Sequence, residues 1–139
     1  MLIETIDIKT ISTANQGSLS FFEAERDIPF EIKRLYYIYG APDGTKRGGH
    51  AHHRLNQILF CPYGKIEIVL DDGSMQKSLM LDSPNTGLVI RSAMWRDMIW
   101  HEANSVLMVA ASDYYDESDY IRNYEDFIDL CALSDHEEK

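Results

Sequence analysis

Short runs rich in apolar and β-branched residues, separated by turn signals, recur along most of the chain. Such runs predict an all-β sandwich or barrel. Turns are predicted at residues 41–44, 71–73 and 82–85, where Gly, Pro, Asn and Asp favour tight turn conformations. The predicted strands are residues 2–8, 18–23, 30–39, 56–61, 65–70, 76–81, 86–91, 95–101 and 105–111.

The period of the apolar residues changes near Tyr120. Those that recur at three- and four-residue spacing are Ile121, Tyr124, Phe127, Ile128 and Cys131. This spacing places them on one face of a helix. We expect a C-terminal helix and an acidic tail over about residues 120–139, with the helix packed on the outside of the barrel. A partner-binding helix is the alternative.

The length and charge restrict the class of protein. A chain of 139 residues, 45% apolar and 26% charged, fits a single globular domain over residues 1–139. The net charge of −10 argues against nucleic-acid binding, which needs an excess of Lys and Arg. A few convergent arginines can still hold a diphosphate on an acidic protein.

Cys61 and Cys131 have no CxxC or Cys/His spacing, which fits two thiols in a reducing compartment. The N-terminus lacks a basic region followed by an apolar run, and no run of about 18 apolar residues occurs. We therefore expect a cytoplasmic protein without membrane contact.

The segment from Gly44 to Gly64 carries two histidines at alternate positions, His50 and His52. Alternate side chains of a strand point to one face. The spacing of Gly44, His50, His52, Gln57 and Gly64 resembles the first motif of the cupins, G-x5-HxH-x(3,4)-E-x6-G, with Gln57 in place of Glu. The resemblance implies a cupin, or jelly-roll, barrel.

The second cupin motif is kept only in part. Gly87 matches it, but Met98 stands where the metal-binding His is expected, so only two of four metal ligands remain. Gln and Met are poor ligands for a hard or borderline divalent cation. We therefore expect neither a metal nor another cofactor.

Without a metal, the histidines need another explanation. They are either hydrogen-bonded barrel residues without a role or acid/base groups in a polar barrel mouth, the kind of place where ligands bind. An imidazole with a pKa near 6.5 can accept and return a proton, contributing about 10² to 10⁴ in rate. We favour His50 and His52 as catalytic residues.

Four runs extend the resemblance to about residues 2–130. The runs IPFEIKRLYYIYG, RGGHAHHRLNQILFCPYG, LDSPNTGLVIRSAMWRDM and ASDYYDESDYIRNYEDF are similar to the sugar 3,4-ketoisomerases that act on dTDP-4-keto-6-deoxyglucose. The last run is the most specific. The resemblance implies a metal-independent isomerase, related in fold to the dTDP-sugar 3,5-epimerases.

The reaction moves a ketone from C4 to C3, which requires removal of the C3 proton, an enediol, and return of a proton to C4. His50 and His52 match the paired histidines of the family, and one would shuttle the proton while the other polarises or protonates an oxygen. Which histidine does which stays open. Arg47 would stabilise the enediolate or a phosphate, an effect worth about 3 to 4 kcal/mol.

Further substrate-binding residues are expected around the histidines. Arg34 and Tyr36 share one strand face, and Tyr36 either orients the sugar or packs. Gln57 would line the same mouth. Trp95 either stacks on the thymine or the sugar ring or fills the barrel.

Two positions bear on the product. Many family members carry Trp-His where this chain has Trp95-Arg96, and Arg cannot donate a proton near neutral pH because its pKa exceeds about 12. We therefore expect a gluco rather than a galacto product. Gln16, before Gly17, is a second candidate for biasing the product, or simply a turn residue.

The resemblance also implies a homodimer and a role in making 3-amino-3,6-dideoxy sugars for a bacterial surface glycan, such as a lipopolysaccharide O-antigen or an S-layer glycan. Unpaired strand edges of an open barrel likewise favour a partner copy. The alternatives are a dTDP-sugar epimerase, a metal-dependent cupin dioxygenase and a non-catalytic sugar-binding cupin.

Overall fold

Two antiparallel five-stranded sheets face each other and form a barrel. The computed structural model describes residues 1–137, and side chains as far as residue 133. In this range the strands are β1 (Glu4–Asp7), β2 (Lys9–Thr13), β3 (Gly17–Phe21), β4 (Arg34–Ile38), β5 (Lys46–His52), β6 (Gln57–Tyr63), β7 (Ile66–Asp71), β8 (Gln76–Leu81), β9 (Thr86–Ile90), β10 (Trp95–Trp100), β11 (Val106–Ala111) and β12 (Tyr120–Ile121). The first sheet has the order β1-β9-β6-β11-β4, and the second β12-β5-β10-β7-β8. The predicted all-β barrel is confirmed.

Alternate side chains of the central strands meet between the two sheets. This core includes Ile66 and Ile68 of β7, Trp100 of β10, and Leu107 and Val109 of β11, all fully buried. Burying each of these aliphatic side chains contributes about 1.5 to 3 kcal/mol. The core therefore holds the two sheets together face to face.

The segment before β4 covers the outside of the first sheet. Phe30 and Ile32, predicted to lie in a strand, are irregular and pack around Ile28 against Ile58 and Val89. These residues are apolar because they belong to this second, outer layer of packing, and not because they lie in a strand.

Strands β2 and β3 form a hairpin outside both sheets. The sequence did not predict β2, because all five of its residues are exposed and it has no apolar alternation. On one face, Thr10 and Ser20 donate hydrogen bonds to the Asn85 amide oxygen at 2.9 and 3.2 Å. On the other face, Ile11 lies opposite Leu19, and each is more than half exposed.

The C-terminal helix α1 spans Tyr124–Glu137 and begins later than predicted. Ile121 belongs instead to β12, which pairs with Ala51 and His52 of β5. The last two residues of the predicted acidic tail, 138 and 139, lie outside the described residues. Among the residues described, no helix is long and apolar enough to cross a bilayer.

Helix α1 is attached to the second sheet by one buried carboxylate. The Asp71 carboxylate accepts hydrogen bonds from the Tyr124 hydroxyl at 2.5 Å and from the Gly73 backbone N–H at 2.7 Å. Phe127 of the helix packs on Ala51, on the face of β5 opposite His50 and His52. The helix thus supports the strand that carries the histidines.

Candidate active site

A β-bulge in β5 brings Arg47 onto the same face as the histidines. Where β5 pairs with β10, Arg96 lies opposite His50 and the following pair is displaced by one residue, which leaves Gly49 extra. Gly48 and Gly49 have φ values of +93° and +68°, and a Cβ on Gly48 would lie 2.8 Å from the Arg96 carbonyl oxygen. Because the extra residue shifts the alternation by one, Arg47 and His50 point the same way.

A cavity of about 380 Å³ opens on this face. Its lining residues are Tyr36, Ile38, Arg47, Gly48, His50, Met98, Tyr120 and Arg122. A recess of about 40 Å³ adjoins it and is lined by His52, Arg34 and Asp119, among others. Tyr120 borders both spaces, with its ring centroid 5.2 Å from that of His50 and 4.4 Å from that of His52. His50 therefore faces the larger space and His52 the smaller.

Both histidines are held neutral. Burial, with a smaller contribution from the positive charge of Arg96, lowers the pKa of His50 to about 4 and that of His52 to about 2. A neutral imidazole has a lone pair that can accept a proton. The pair is thus in the protonation state that a general base requires at neutral pH.

Asp119 lies beside His52 and is held in one orientation. Its carboxylate oxygen Oδ2 is 3.4 Å from Nδ1 of His52. The same carboxylate accepts hydrogen bonds from the backbone N–H groups of Arg54 at 2.8 Å and Leu55 at 3.2 Å. Sequence reasoning missed Asp119. It lies in the run ASDYYDESDYIRNYEDF, which carried the family resemblance without giving the residue a role.

A buried guanidinium lies behind the cavity. Arg96 is 1% exposed and donates to the Met94 carbonyl oxygen at 3.2 and 2.8 Å and to the side-chain oxygen of Gln57. The Gln57 amide nitrogen in turn donates to the Tyr36 hydroxyl oxygen at 3.2 Å. Burial lowers the pKa of Arg96 to about 10, so it stays charged at neutral pH. The sequence predicts that Arg96 and Gln57 contact the substrate. In the structure both side chains bond to protein groups instead, and neither lines the cavity.

The four positions of the cupin metal ligands do not fit a divalent cation. They are occupied by His50, His52, Gln57 and Met98, and the Gln57 side-chain oxygen is already engaged by Arg96. The guanidinium charge next to the histidines would repel a second cation. Within the described residues, no three His, Cys, Asp or Glu side chains cluster as metal ligands.

Further arginines lie near the histidines, besides Arg96. Arg47 lines the cavity, as does Arg122, which lies 4.3 Å from the Tyr120 ring centroid and pairs with Glu117 at 2.8 Å. Arg34 lies over the Tyr36 ring at 5.4 Å, and its Nε is buried without a hydrogen-bond partner. The larger cavity is lined by two arginines and by no carboxylate among the described residues, which suits an anionic ligand. Arg122 and Tyr120 were not predicted as site residues.

Two predicted site residues lie elsewhere. Trp95 points to the face of β10 opposite Arg96 and packs against Tyr124 and Phe127, with ring centroids 5.2 and 5.8 Å away. Strand alternation places it beneath α1, so it lines neither space, and a substrate contact from Trp95 stays a prediction. Gln16 lies in the turn of the β2–β3 hairpin and lines neither space.

Comparison with known proteins gives consistent matches over nearly the whole chain. The family model described as FdtA: WxcM-like, C-terminal matches residues 1–132. The chain is 46% identical over 113 residues to a TDP-4-oxo-6-deoxy-alpha-D-glucose-3,4-oxoisomerase of Aneurinibacillus thermoaerophilus, covering 81% of this chain and 81% of that relative.

Solved structures agree. A mutant of the 3,4-ketoisomerase QdtA from Thermoanaerobacterium thermosaccharolyticum, in complex with TDP-4-keto-6-deoxyglucose, is 40% identical with a TM-score of 0.91, covering 96% of this chain and 97% of that one. A 3,4-ketoisomerase from Helicobacter canadensis is 42% identical with a TM-score of 0.90, covering 95% and 98%. Both barrels match this one from end to end.

Proposed function

Because the chain belongs to the FdtA family and is an isomerase of the sugar 3,4-ketoisomerase class, we propose that it converts dTDP-4-keto-6-deoxy-D-glucose to its 3-keto isomer. The observation that carries this proposal is a pair of neutral histidines next to a cavity that also contains Arg47, Arg122 and Tyr36. A TDP-4-keto-6-deoxyglucose complex of a 40% identical protein supports the choice of substrate.

In the proposed mechanism, His50 accepts the proton from C3, because it lines the larger cavity where the sugar fits. The C3–H electrons form the C3–C4 double bond of an enediol, and the C4 carbonyl electrons move onto the C4 oxygen, which takes the proton of the C3 hydroxyl. The electrons of the C3 oxygen then form the C3 carbonyl, C4 takes a proton that solvent supplies through His52, and His50 releases the C3 proton to solvent. His52 lies next to Asp119 in the adjoining recess. From there it would stabilise the enediol and exchange protons with it.

The arginines would hold the negative charges of the substrate. Arg47 and Arg122 line the cavity, and Arg34 borders the recess behind it. Guanidinium groups match phosphate oxygens with paired hydrogen bonds. We assign the diphosphate to Arg122 and Arg34 and the developing enediolate to Arg47, the arginine nearest to His50 along β5.

The product is proposed to have the gluco configuration at C4. Arg96 stands where many family members have a histidine. Its guanidinium is charged, buried and bonded to Met94 and Gln57. Arg96 therefore cannot deliver a proton to C4 from that side, and delivery from the opposite face would give the gluco product.

A metal-independent reaction is proposed for a related reason. The Arg96 charge lies next to the histidines and engages the Gln57 oxygen, so it would repel a cation bound at these positions. We expect full activity after dialysis against EDTA and no stoichiometric metal in the purified protein. A required iron or zinc would favour a cupin dioxygenase instead.

A homodimer is proposed from the β2–β3 hairpin. An isolated two-stranded hairpin is marginal in water, yet this one presents Ile11 and Leu19 to solvent beside an apolar groove of about 720 Å³ lined by Leu35, Phe60 and Met108, among others. An exposed surface of this kind marks an interface. A second copy of the chain would cover this surface. Gln16 lies at the hairpin turn, away from the cavity of its own chain, so it would approach a substrate only in the partner copy.

The proposed product is a 3-keto sugar nucleotide that an aminotransferase would aminate. We place the reaction in the cytoplasm and the resulting 3-amino-3,6-dideoxy sugar in a surface glycan such as an O-antigen or an S-layer glycan.

The test is incubation with dTDP-4-keto-6-deoxyglucose in deuterated water, followed by NMR of the reduced or aminated product. We expect the carbonyl at C3, deuterium at C4 and gluco configuration. A carbonyl that stays at C4 with deuterium at C3 or C5 would identify an epimerase. Unchanged substrate that nevertheless binds would indicate a sugar-binding protein.

A further inference from the structure

The hydrogen bonds that join Arg96 to Tyr36 through Gln57 can run in one direction only. A guanidinium has donors and no acceptor, so the side of the Gln57 amide that meets Arg96 must be its oxygen. The amide nitrogen is then left facing the Tyr36 hydroxyl oxygen, at 3.2 Å. The buried arginine thus determines the amide orientation.

This direction leaves the Tyr36 proton available. Because the Gln57 N–H donates to the phenol oxygen, the Tyr36 O–H is not used on Gln57. Tyr36 lines the cavity together with His50. Burial raises the pKa of Tyr36, which keeps the phenol protonated at neutral pH. The phenol proton can therefore point into the cavity.

We propose that Gln57 is a positioning residue that makes Tyr36 a hydrogen-bond donor toward the carbonyl oxygen of the substrate. This inference rests on the proposed isomerisation. As the C3 proton leaves, negative charge grows on the C4 oxygen, and a donor already aimed at that oxygen stabilises the charge without reorganising. Tyr36 donates a hydrogen bond in this role and keeps its proton.

The cupin motif has Glu where this chain has Gln57, and the difference reverses the chain of hydrogen bonds. A carboxylate only accepts. It would accept from Arg96 on one side and from the Tyr36 hydroxyl on the other. The phenol proton would then be directed at the carboxylate and away from the substrate, although the size of the side chain hardly changes.

The variant Gln57→Glu tests this directly, with Tyr36→Phe as its partner. We expect each to lower kcat by about 10²- to 10³-fold, the range found on removing one oxyanion donor, with KM changed much less. Because both substitutions remove the same interaction, the double variant should be no slower than Tyr36→Phe alone. Losses that multiply, or a Gln57→Glu variant with wild-type kcat, would overturn the inference.

A second measurement needs no turnover. The Tyr36 titration, obtained from the absorbance difference between each protein and its Tyr36→Phe counterpart, should move to higher pH in Gln57→Glu, because the phenol then donates to a carboxylate. If that variant does not fold, Gln57→Met should also raise the titration point, since the donated N–H is lost. A titration that moves to lower pH contradicts the inference. Failure of the wild type to isomerise the substrate would instead contradict the proposed function alone.

Discussion

The Nδ1 atom of His52 lies 3.4 Å from Oδ2 of Asp119, and both side chains are almost completely buried. The backbone N–H groups of Arg54 and Leu55 hold this carboxylate in place. A fixed acceptor beside Nδ1 favours the tautomer with its proton on Nδ1 and its lone pair on Nε2. The two groups do not form a hydrogen bond in this geometry, so we infer the tautomer from the position of the carboxylate, which selects Nε2 as the proton-accepting nitrogen.

We predict that Asp119→Asn lowers kcat by about 10²- to 10⁴-fold. The Asn oxygen can still accept from the Arg54 N–H, but its NH₂ group would take the place of Oδ2, lose the bond from the Leu55 N–H, and face Nδ1, which favours the opposite tautomer. The ¹⁵N shifts of His52 should report the exchange of tautomers. The exposed Asp129→Asn, which makes the same charge change on α1, is the control and should retain full activity.

The lowered histidine pKa values couple folding to pH. In the unfolded chain a histidine titrates near pH 6.5, whereas in the folded protein the pKa of His50 is about 4. Between these values the unfolded state binds a proton that the folded state does not, so stability falls as pH falls. We predict that the free energy of unfolding in urea drops less between pH 7 and pH 5 in His50→Gln than in the wild type. Equal drops in the two proteins would contradict the assignment.

The hairpin interface can be tested by one charge. We predict that Ile11→Glu converts the proposed dimer to a monomer, because it places a carboxylate opposite Leu19 in the middle of the exposed apolar face. Light scattering coupled to size-exclusion chromatography gives the mass. Leu133→Glu adds the same charge at an exposed apolar residue of α1, outside the hairpin and the groove, and should remain dimeric. A wild type that is monomeric at micromolar concentration would refute the interface.

The bulge can be tested by adding a methyl group. Gly48→Ala would place Cβ 2.8 Å from the Arg96 carbonyl oxygen, and we predict a loss of about 2 to 4 kcal/mol in the free energy of unfolding. Gly17→Ala has a comparable φ of +82° but no atom within 4 Å of the new Cβ. It should lose only about 1 to 2 kcal/mol. Equal losses in a urea titration would show that the close approach to β10 does not matter.

Local spacing was sufficient to predict that His50 and His52 share a face and that the metal ligands at Gln57 and Met98 are lost. It could not predict that Arg96 is buried and bonded to Gln57, 39 residues away along the chain. Nor could it predict the approach of Asp119 to His52. Both contacts join segments that are far apart in the sequence and meet only in the folded barrel. No local sequence pattern therefore indicates them.

Two errors have local causes. Ile121 fits the helical spacing of the residues that follow, but pairing with Ala51 places it in β12. The exposed β2 has no apolar alternation, because its only large apolar side chain, Ile11, faces outward. In both cases the position of the element depends on its partner rather than on its own residues.

The bulge at Gly49 also changes how positions in β5 are counted. In a regular strand, an odd separation sends two side chains to opposite faces, and Arg47 and His50 are three residues apart. Here the one extra glycine reverses this rule, so that Arg47 and His50 point to the same face. If β5 kept Gly49 but paired with β10 without the bulge, Arg47 would turn toward the outside although no residue had changed. One residue without a side chain thus decides whether a charged residue upstream belongs to the site.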